Sequence, residues 1–365
     1  MTSDNARMIR IDIRPVWRFR AESGEREFDF RLVTLLAAIE EDGKLTQAAE
    51  AAGVSYRHAW NLVDQWEEFF GAALVVKSQG RGSTLTPLGK RLLWAGRRAQ
   101  ARLAPELDNL ASEFARALNE SLSEALPALV MHASHDYAVA LLRDAAAEAS
   151  GFIDLQYRGS FDALAALRRG ECDVAGFHVP EGRLGALMEQ RYRESLPLAG
   201  YRLITFASRR QGFIVQPGNP LAIASVRDLC RDGIRIANRQ RGSGTRALLE
   251  YLVSSAGLDR ARISGYENEE TTHGAVAALV AGKQADVGFG VEAAATQYGL
   301  GFVPVCREQY YFACRLGDLE SPPVRSLLAL LRDARFARTV DALPGYAAAG
   351  AGRVLASFEP APAAT

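Results

Sequence analysis

The spacing of hydrophobic positions changes near residue 126 and divides the chain in two. Before that point, apolar residues recur at intervals of three and four, which predicts amphipathic helices. These predicted helices cover residues 30–41, 45–52, 55–70 and 88–124. Residues 9–20 alternate between polar and apolar side chains instead, so we expect a short hairpin packed against the helices. After residue 126, short apolar runs alternate with amphipathic helices, which predicts α/β units around a mainly parallel sheet.

Residues 45–71 contain the parts of a helix-turn-helix. We expect Thr46 to cap the first helix, Gly53 to form the turn and Ser55 to cap the second helix. The first turns of a second helix can reach bases or phosphates in the major groove. The candidate DNA-binding residues in this part are Thr46, Ser55, Tyr56, Arg57, His58 and Asn61.

The next segment has the form of a wing, with a strand, a glycine-containing turn, a returning strand and a helix. Its candidate DNA contacts are Lys77, Arg81 and Thr84. Residues 69–105 contain no Asp or Glu, and phosphate contact requires such a local excess of positive charge. For Arg97, Arg98 and Arg102 an alternative stays open, because basic residues also solvate a long helix.

Residues 48–93, AAEAAGVSYRHAWNLVDQWEEFFGAALVVKSQGRGSTLTPLGKRLL, carry a resemblance to a known family. Over roughly residues 25–100 the chain resembles the N-terminal domain of the molybdate-responsive (ModE-like) transcription regulators, which are relatives of the LysR-type head. The resemblance implies a winged helix-turn-helix that dimerises through its helices and binds palindromic operators in double-stranded DNA. The wing here is shorter than is usual in the family and lacks its run of glycines.

Charge and composition narrow the class of protein further. Lys plus Arg equals Asp plus Glu at 43 each among 365 residues, which excludes nucleic-acid binding by global charge but leaves room for a local basic face. The four cysteines show no C-x-x-C spacing, so neither a zinc ribbon nor a disulfide framework is expected. No apolar segment has the length of a membrane span or a signal peptide, so we expect a cytoplasmic protein without membrane contact.

The α/β part places polar residues where its predicted strands end and helices begin. Ligands of parallel sheets bind at this edge, near helix N-termini that favour anions. Hydroxyls at predicted helix starts are Ser134, Ser160, Ser243 or Thr245, and Thr272. Each alone is explained as an ordinary N-cap, but several at the mouth of one sheet favour a shared anion site.

The segment RQRGSGTR is the strongest part of this predicted site. Glycines let the backbone approach a ligand, hydroxyls donate hydrogen bonds, and arginine offers a bidentate charge. Its candidate residues are Arg239, Arg241, Gly242, Ser243, Gly244, Thr245 and Arg246. It is not a P-loop, since the G-K-[ST] ending is missing. We expect at least one of these arginines to pair with an acid such as Glu267 or Glu292.

Three histidines complete the candidate site, because His135, His178 and His273 fall at predicted strand ends, with Asp136 beside the first. They could hydrogen-bond an anion or bind a metal. No carboxylate or cysteine stands at ligand spacing with them, so we assign no metal site.

Residues 159–178 and 238–249 carry a second resemblance, to the type 2 periplasmic-binding-protein fold used as a sensor domain in molybdenum-related regulators. It covers roughly residues 127–335. It implies two lobes that close on a ligand through a two-stranded hinge, expected at residues 202–220 and 302–315. It also implies an oxyanion or a cofactor-related ligand as effector, with no other cofactor required. Molybdate, tungstate, formate-like carboxylates and the molybdenum cofactor all suit a cleft lined by hydroxyls, N–H groups and arginine.

These patterns predict four parts: a winged helix-turn-helix over residues 1–87, a linker and dimerisation helix over 88–125, a bilobed ligand-binding domain over 126–345, and a tail over 346–365. The leading hypothesis is a homodimer or higher homo-oligomer that regulates transcription, in which lobe closure changes the spacing of two heads. One alternative is a storage or chaperone protein for an oxyanion or molybdenum cofactor. Another is an acyl or phosphoryl transferase using Ser243 or Ser134 with a histidine, although neither a triad order nor a G-x-S-x-G motif is present.

Overall fold

The N-terminal part is a winged helix-turn-helix followed by one long helix. The computed structural model describes residues 9–22, 24–78, 82–122, 129–149 and 153–358. The elements of this part are strands β1 (Trp17–Ala21) and β2 (Gly24–Phe28), helices α1 (Arg31–Asp42), α2 (Leu45–Ala51) and α3 (Tyr56–Phe70), strands β3 (Val75–Ser78) and β4 (Gly82–Leu85), and helix α4 (Pro87–Leu122). The predicted fold class is confirmed for this part of the chain.

A short antiparallel hairpin is present as predicted, but β1 and β2 form it over residues 17–28 rather than 9–20. Phe19 and Phe28 place their rings 5.3 and 5.0 Å from that of the fully buried Trp66, so the hairpin packs against α3. The strands begin later than predicted, at Trp17 rather than near residue 9. Pro15 lies just before β1, and a proline cannot donate to a strand ladder.

The C-terminal part is an α/β domain around one continuous sheet. Its strands are β5 (Leu129–Ala133), β6 (Ile153–Tyr157), β7 (Val174–Pro180), β8 (Tyr201–Val215), β9 (Ile236–Arg239), β10 (Glu269–Glu270), β11 (Val287–Val291), β12 (Gly301–Arg315), β13 (Tyr346–Ala347) and β14 (Val354–Leu355). Its helices are α5 (Tyr137–Glu148), α6 (Ser160–Arg169), α7 (Arg183–Ser195), α8 (Gly244–Ser255), α9 (His273–Ala281), α10 (Glu292–Gln297), α11 (Pro322–Leu331) and α12 (Ala334–Asp341).

Two long antiparallel strands join the halves of this sheet. The strand order is β10-β9-β11-β8-β12-β7-β5-β6, and β8 pairs with β12 along almost its whole length. The strands on either side, β5 with β6 and β7, and β9 with β10 and β11, run parallel within each half. The predicted α/β architecture with a two-stranded crossing is therefore present.

The last described residues belong to the sheet rather than to a separate tail from residue 346 onward, which corrects the expected boundary. Strands β13 and β14 both pair with β8, and Phe358 is buried in the core below α6, α7 and α8. An apolar side chain at this position keeps the segment docked because its burial is favourable. Within the described residues, no helix combines the length and apolar character that crossing a membrane demands.

Candidate functional site

The turn and second helix of the DNA-binding head have the predicted cap. The Ser55 hydroxyl accepts a hydrogen bond of 3.2 Å from the His58 backbone N–H, and Gly53 adopts a left-handed φ of 66°. Tyr56, Arg57, His58 and Asn61 are all exposed on α3, as a DNA-reading helix requires.

Thr46 does not cap the first helix, contrary to the prediction. Helix α2 starts at Leu45, so that Lys44 takes the cap position and makes no side-chain capping bond. Thr46 lies inside the first turn, where its hydroxyl cannot reach the unpaired N–H groups that a cap serves.

The wing strands present Thr84 on an exposed position of β4. Arg81 lies outside the described residues, as does the side chain of Lys77 on β3. The wing contacts predicted from the sequence therefore stay predictions.

The basic residues of α4 pair with acids of the chain itself. Lys90 lies 2.8 Å from Glu40, and Arg97 lies 3.4 Å from Glu41. Arg98 contacts Glu270 at 2.6 Å, with Arg102 beside it at 3.4 Å. Arg97, Arg98 and Arg102 thus form ion pairs within the chain, an outcome that neither of the two interpretations left open by the sequence, phosphate contact or solvation of the helix, had specified.

A small cavity lies at the carboxyl ends of strands β5, β6, β7 and β9. Its volume is about 160 Å³. The predicted residues that line it are Ser134, His135, His178, Arg239, Ser243, Gly244, Thr245 and His273. The structure adds lining residues that the sequence pattern did not single out, which are Pro105, Glu106, Tyr157, Arg158, Gly159, Gln240 and Thr271.

Arg239 is the buried cation of this cavity, with only 4% of its surface exposed. Its Nη2 donates to the Thr271 carbonyl at 2.9 Å, and its Nε donates to the Gln240 side chain at 3.1 Å. Across the described residues it forms no ion pair, in contrast to most buried arginines. Burial, together with the nearby charge of Arg209, lowers the pKa of Arg239 to about 9. A buried charge without a counter-ion creates a strong preference for an anion.

The three histidines surround the same space and are neutral at pH 7. Burial lowers the pKa of His135 to about 4, and it holds the pKa values of His178 and His273 well below the usual range, with neighbouring arginines adding to each effect. His135 Nδ1, His178 Nε2 and His273 Nδ1 are buried atoms without a hydrogen-bond partner in the described structure. A neutral imidazole carries one N–H, so the cluster can donate to a bound anion.

Helix α8 begins directly against this cluster. A Cβ atom on Gly244 would lie 2.8 Å from His178 Nε2, so a glycine is needed at this position. The Ser243 hydroxyl accepts from the Arg246 backbone N–H and donates to the Gln240 carbonyl, which makes it the N-cap of α8 rather than a free donor for a ligand. Thr245 accepts from Gln211 at 2.7 Å and keeps its own proton to donate.

The remaining predicted hydroxyls act within helix starts. Thr272 caps α9 by accepting from the Ala275 N–H, and Ser160 is buried at the first position of α6 without lining the cavity. Ser134 does not start α5. Asp136 caps that helix instead, because three residues outside helix and strand follow β5 before α5 begins at Tyr137. Asp136 also pairs with the buried Arg209, which removes it from the candidate ligand set.

Two of the predicted arginines point away from the cavity. Arg246 contacts Glu250 at 2.9 Å and lies over the Tyr266 ring, while the exposed Arg241 contacts Glu267 at 2.8 Å. The expected arginine–acid pairing is therefore confirmed with Glu267. Gly242 forms the turn before α8 with a φ of 84° and does not line the cavity.

The Ser134 Oγ lies 3.1 Å from His178 Nδ1, so these two residues are the candidate nucleophile and base of this cavity. The other ring nitrogen of His178 has no partner among the described residues, so no acid orients the ring as a hydrolytic triad requires. No three His, Cys, Asp or Glu side chains converge as a possible metal site in the described ranges.

Helix α4 forms one wall of the cavity through Pro105 and Glu106. Pro105 is buried inside the helix, where it cannot donate the usual backbone hydrogen bond. The sequence pattern placed this helix outside the ligand-binding domain, because its heptad-like spacing does not reveal what its buried side packs against.

Comparisons with known proteins agree with this organisation. A family model described as "PBP superfamily domain" matches residues 142–332, and one described as "Bacterial regulatory helix-turn-helix protein, lysR family" matches residues 30–90.

Several curated proteins are similar to parts of the chain. "Uncharacterized protein YvgK" of Bacillus subtilis is 36% identical over 42% of this chain and 50% of its own length. "Molybdenum-pterin-binding protein MopB" of Rhodobacter capsulatus is 34% identical over 28% of this chain and 38% of its own length. "Molybdenum transport protein ModE" of Azotobacter vinelandii is 32% identical over 22% and 32%. The chain thus spans half or less of these relatives.

Among solved structures, the chain is similar to CbnR, titled a LysR family transcriptional regulator. The identity is 17%, the match covers 83% of this chain and 99% of that one, and the TM-score is 0.38.

Proposed function

The chain belongs to the PBP superfamily and joins such a ligand-binding domain to a LysR-type helix-turn-helix, and from this we propose that it is a transcription regulator whose DNA binding responds to a small oxyanion. Molybdate and tungstate are the effectors we favour. Neither domain type is an enzyme, and the cavity lacks an oriented triad.

Arg239 is the observation that carries the proposed effector class. Its guanidinium is buried, forms no ion pair within the described residues, and faces a cavity lined by three neutral histidines. An oxyanion would supply the missing counter-charge and would accept hydrogen bonds from Arg239, from Thr245 and from the imidazole N–H groups. Such charge-assisted bonds are about twice as strong as neutral ones.

The cavity volume favours an inorganic oxyanion over the molybdenum cofactor. Sites for drug-sized organic ligands usually measure about 300–1,000 Å³, and this cavity measures about 160 Å³. The names of MopB and ModE refer to molybdenum, which supports molybdate or tungstate among the possible oxyanions.

The outer side of α4 supports a homodimer. Leu103, Leu110 and Phe114 are 38%, 55% and 55% exposed, and their spacings of seven and four residues place them on one face of α4. This spacing is that of a coiled-coil seam, so a second copy of α4 would cover it. A dimer would bring two α3 helices to the half-sites of a palindromic operator.

A ligand panel on the full-length chain tests the effector. Molybdate and tungstate should raise the thermal unfolding midpoint, whereas formate and chloride should not, because a bound ligand stabilises only the state that binds it. No shift with any oxyanion would refute the proposed effector class.

The DNA-binding part is tested by selecting operators from a random duplex pool and titrating salt. A regulator selects a recurrent palindrome and loses affinity steeply as salt rises. Binding of oxyanion without any sequence preference for DNA would support the storage alternative instead.

A further inference from the structure

Helix α4 is fastened to the ligand-binding domain at two buried carboxylates. Near its middle, Arg98 and Arg102 contact Glu270, of which 1% is exposed. Farther along, Ser112 donates to Asp154 at 2.8 Å and Arg116 lies 3.1 Å from it, with Asp154 equally buried. Both attachments join a buried carboxylate to α4. Glu270 is adjacent in sequence to the cavity residue Thr271, whereas Asp154 lies three residues before the cavity residue Tyr157.

Glu270 is connected to the cavity through the backbone of its neighbours. It stands opposite Arg239 in the parallel pairing of β10 with β9, and its carbonyl accepts from the Gln240 N–H at 3.0 Å. The next carbonyl, that of Thr271, is the one that accepts from the Arg239 guanidinium. The Thr271 hydroxyl in turn reaches the Arg102 carbonyl on α4 at 3.4 Å.

We propose that Glu270 couples the binding of the effector at Arg239 to helix α4, and through α4 to the DNA-binding head. This inference rests on the proposed function, and it concerns how that same site regulates DNA binding. It differs from lobe closure, because the signal would run through one short strand and one helix of a single subunit.

The competition for the Arg239 guanidinium gives this coupling its physical basis. In the structure, Arg239 donates to the neutral Thr271 carbonyl and Gln240 side chain. A bound oxyanion would accept stronger, charge-assisted bonds from this guanidinium and draw it toward the cavity, which weakens its bond to the Thr271 carbonyl. Because Glu270 is adjacent to Thr271, a shift of the Thr271 backbone also moves the Glu270 carboxylate and its ion pairs with Arg98 and Arg102.

An allosteric link requires that the two states differ in such contacts, not merely that two sites lie near each other. Asp154 lacks this connection, since among the described residues its side chain contacts Ser112 and Arg116 of α4, and its partner in the strand pairing is Val130 rather than the Arg239 segment. It therefore offers a matched control, in which α4 loses a buried anchor without losing contact with the Arg239 segment.

The test compares Glu270→Gln with Asp154→Asn in the full-length chain. Molybdate affinity is measured by calorimetry, and affinity for the selected operator is measured by fluorescence anisotropy with and without molybdate. Wild type should show a coupling ratio between the two operator affinities within the usual range of about 5–150-fold. Glu270→Gln should bring that ratio close to one while molybdate affinity stays within about threefold, and Asp154→Asn should keep the wild-type ratio.

A second variant, Arg98→Gln, removes a partner of Glu270 on α4 and should give the same loss of coupling. It replaces Glu270→Gln in the test if that variant fails to fold. A wild-type coupling ratio in folded Glu270→Gln and Arg98→Gln would overturn the inference. An equal loss of coupling in Asp154→Asn would also overturn it. Wild type that binds no molybdate would overturn the proposed function itself, which separates the two failures.

Discussion

Replacing Arg239 with glutamine should have opposite effects on stability and on ligand binding. In the anion-free protein this residue is a buried charge without an ion pair among the described residues. Lowering its pKa from 12.5 to about 9 corresponds to about 5 kcal/mol of unfavourable charge burial, and this cost is present at every pH below about 9. The substitution also gives up hydrogen bonds to Thr271 and Gln240, each contributing about 1 kcal/mol.

Arg239→Gln should therefore raise the anion-free unfolding free energy by about 1–3 kcal/mol, which is a few degrees in the thermal midpoint. It should weaken molybdate binding by about 2–4 kcal/mol, or roughly 30- to 1,000-fold, because charged hydrogen bonds to the anion are lost. Differential scanning calorimetry and titration calorimetry measure the two quantities on the same preparation.

Arg246→Gln is the matched control. Arg246 is as deeply buried as Arg239, but it pairs with Glu250 and lies over Tyr266. Its loss should lower stability and leave molybdate affinity within about threefold. The reasoning is refuted if Arg239→Gln destabilises the anion-free protein as Arg246→Gln does and leaves molybdate affinity unchanged, since Arg239 would then be a structural residue.

Three further outcomes are expected. Arg57→Ala should weaken operator binding by about 1–3 kcal/mol with an unchanged unfolding midpoint; a joint fall of both would mean that Arg57 is structural. Phe114→Glu should convert the proposed homodimer to monomer in sedimentation, whereas an unchanged sedimentation coefficient would contradict a dimer interface on this face of α4. The lowered pKa values of His135, His178 and His273 mean that the unfolded chain takes up protons first as pH falls. Unfolding free energy should thus fall from about pH 6.5 downward, by about 2 kcal/mol at pH 5 for His135 alone; a flat urea midpoint between pH 7 and 5 would contradict this.

Local chemistry made part of this protein predictable from its sequence. The Ser55 cap and the Gly53 turn depend on residues adjacent in the chain, and both are present. The two crossing strands were expected from the resemblance to the periplasmic-binding-protein fold, and both are present. The gathering of His135, His178 and His273 in one cavity followed from the rule that parallel strands end at one edge.

Other features depended on contacts between distant segments. The spacing of RQRGSGTR did not reveal that Arg239 faces the cavity while Arg246 faces Glu250, because β9 ends at Arg239 and α8 begins at Gly244. Asp136 rather than Ser134 caps α5 because that helix begins later than the polar cluster suggested. The contribution of α4 to the cavity lining could not be predicted, since a helical pattern shows which side of the helix is apolar and not which segment packs against it.

Helix α4 also determines where this protein could be cut and recombined. It supplies Pro105 and Glu106 to the cavity and its arginines to Glu270, although it is continuous with the DNA-binding head. A biosensor that exchanged the head after residue 125 would import a foreign helix, and the sensor would lose one wall of its binding cavity. A junction before Thr86, whose hydroxyl accepts from the Gly89 N–H at the start of α4, would keep helix and cavity together. The unit of exchange then begins at Thr86, so that the helix stays with the sensor.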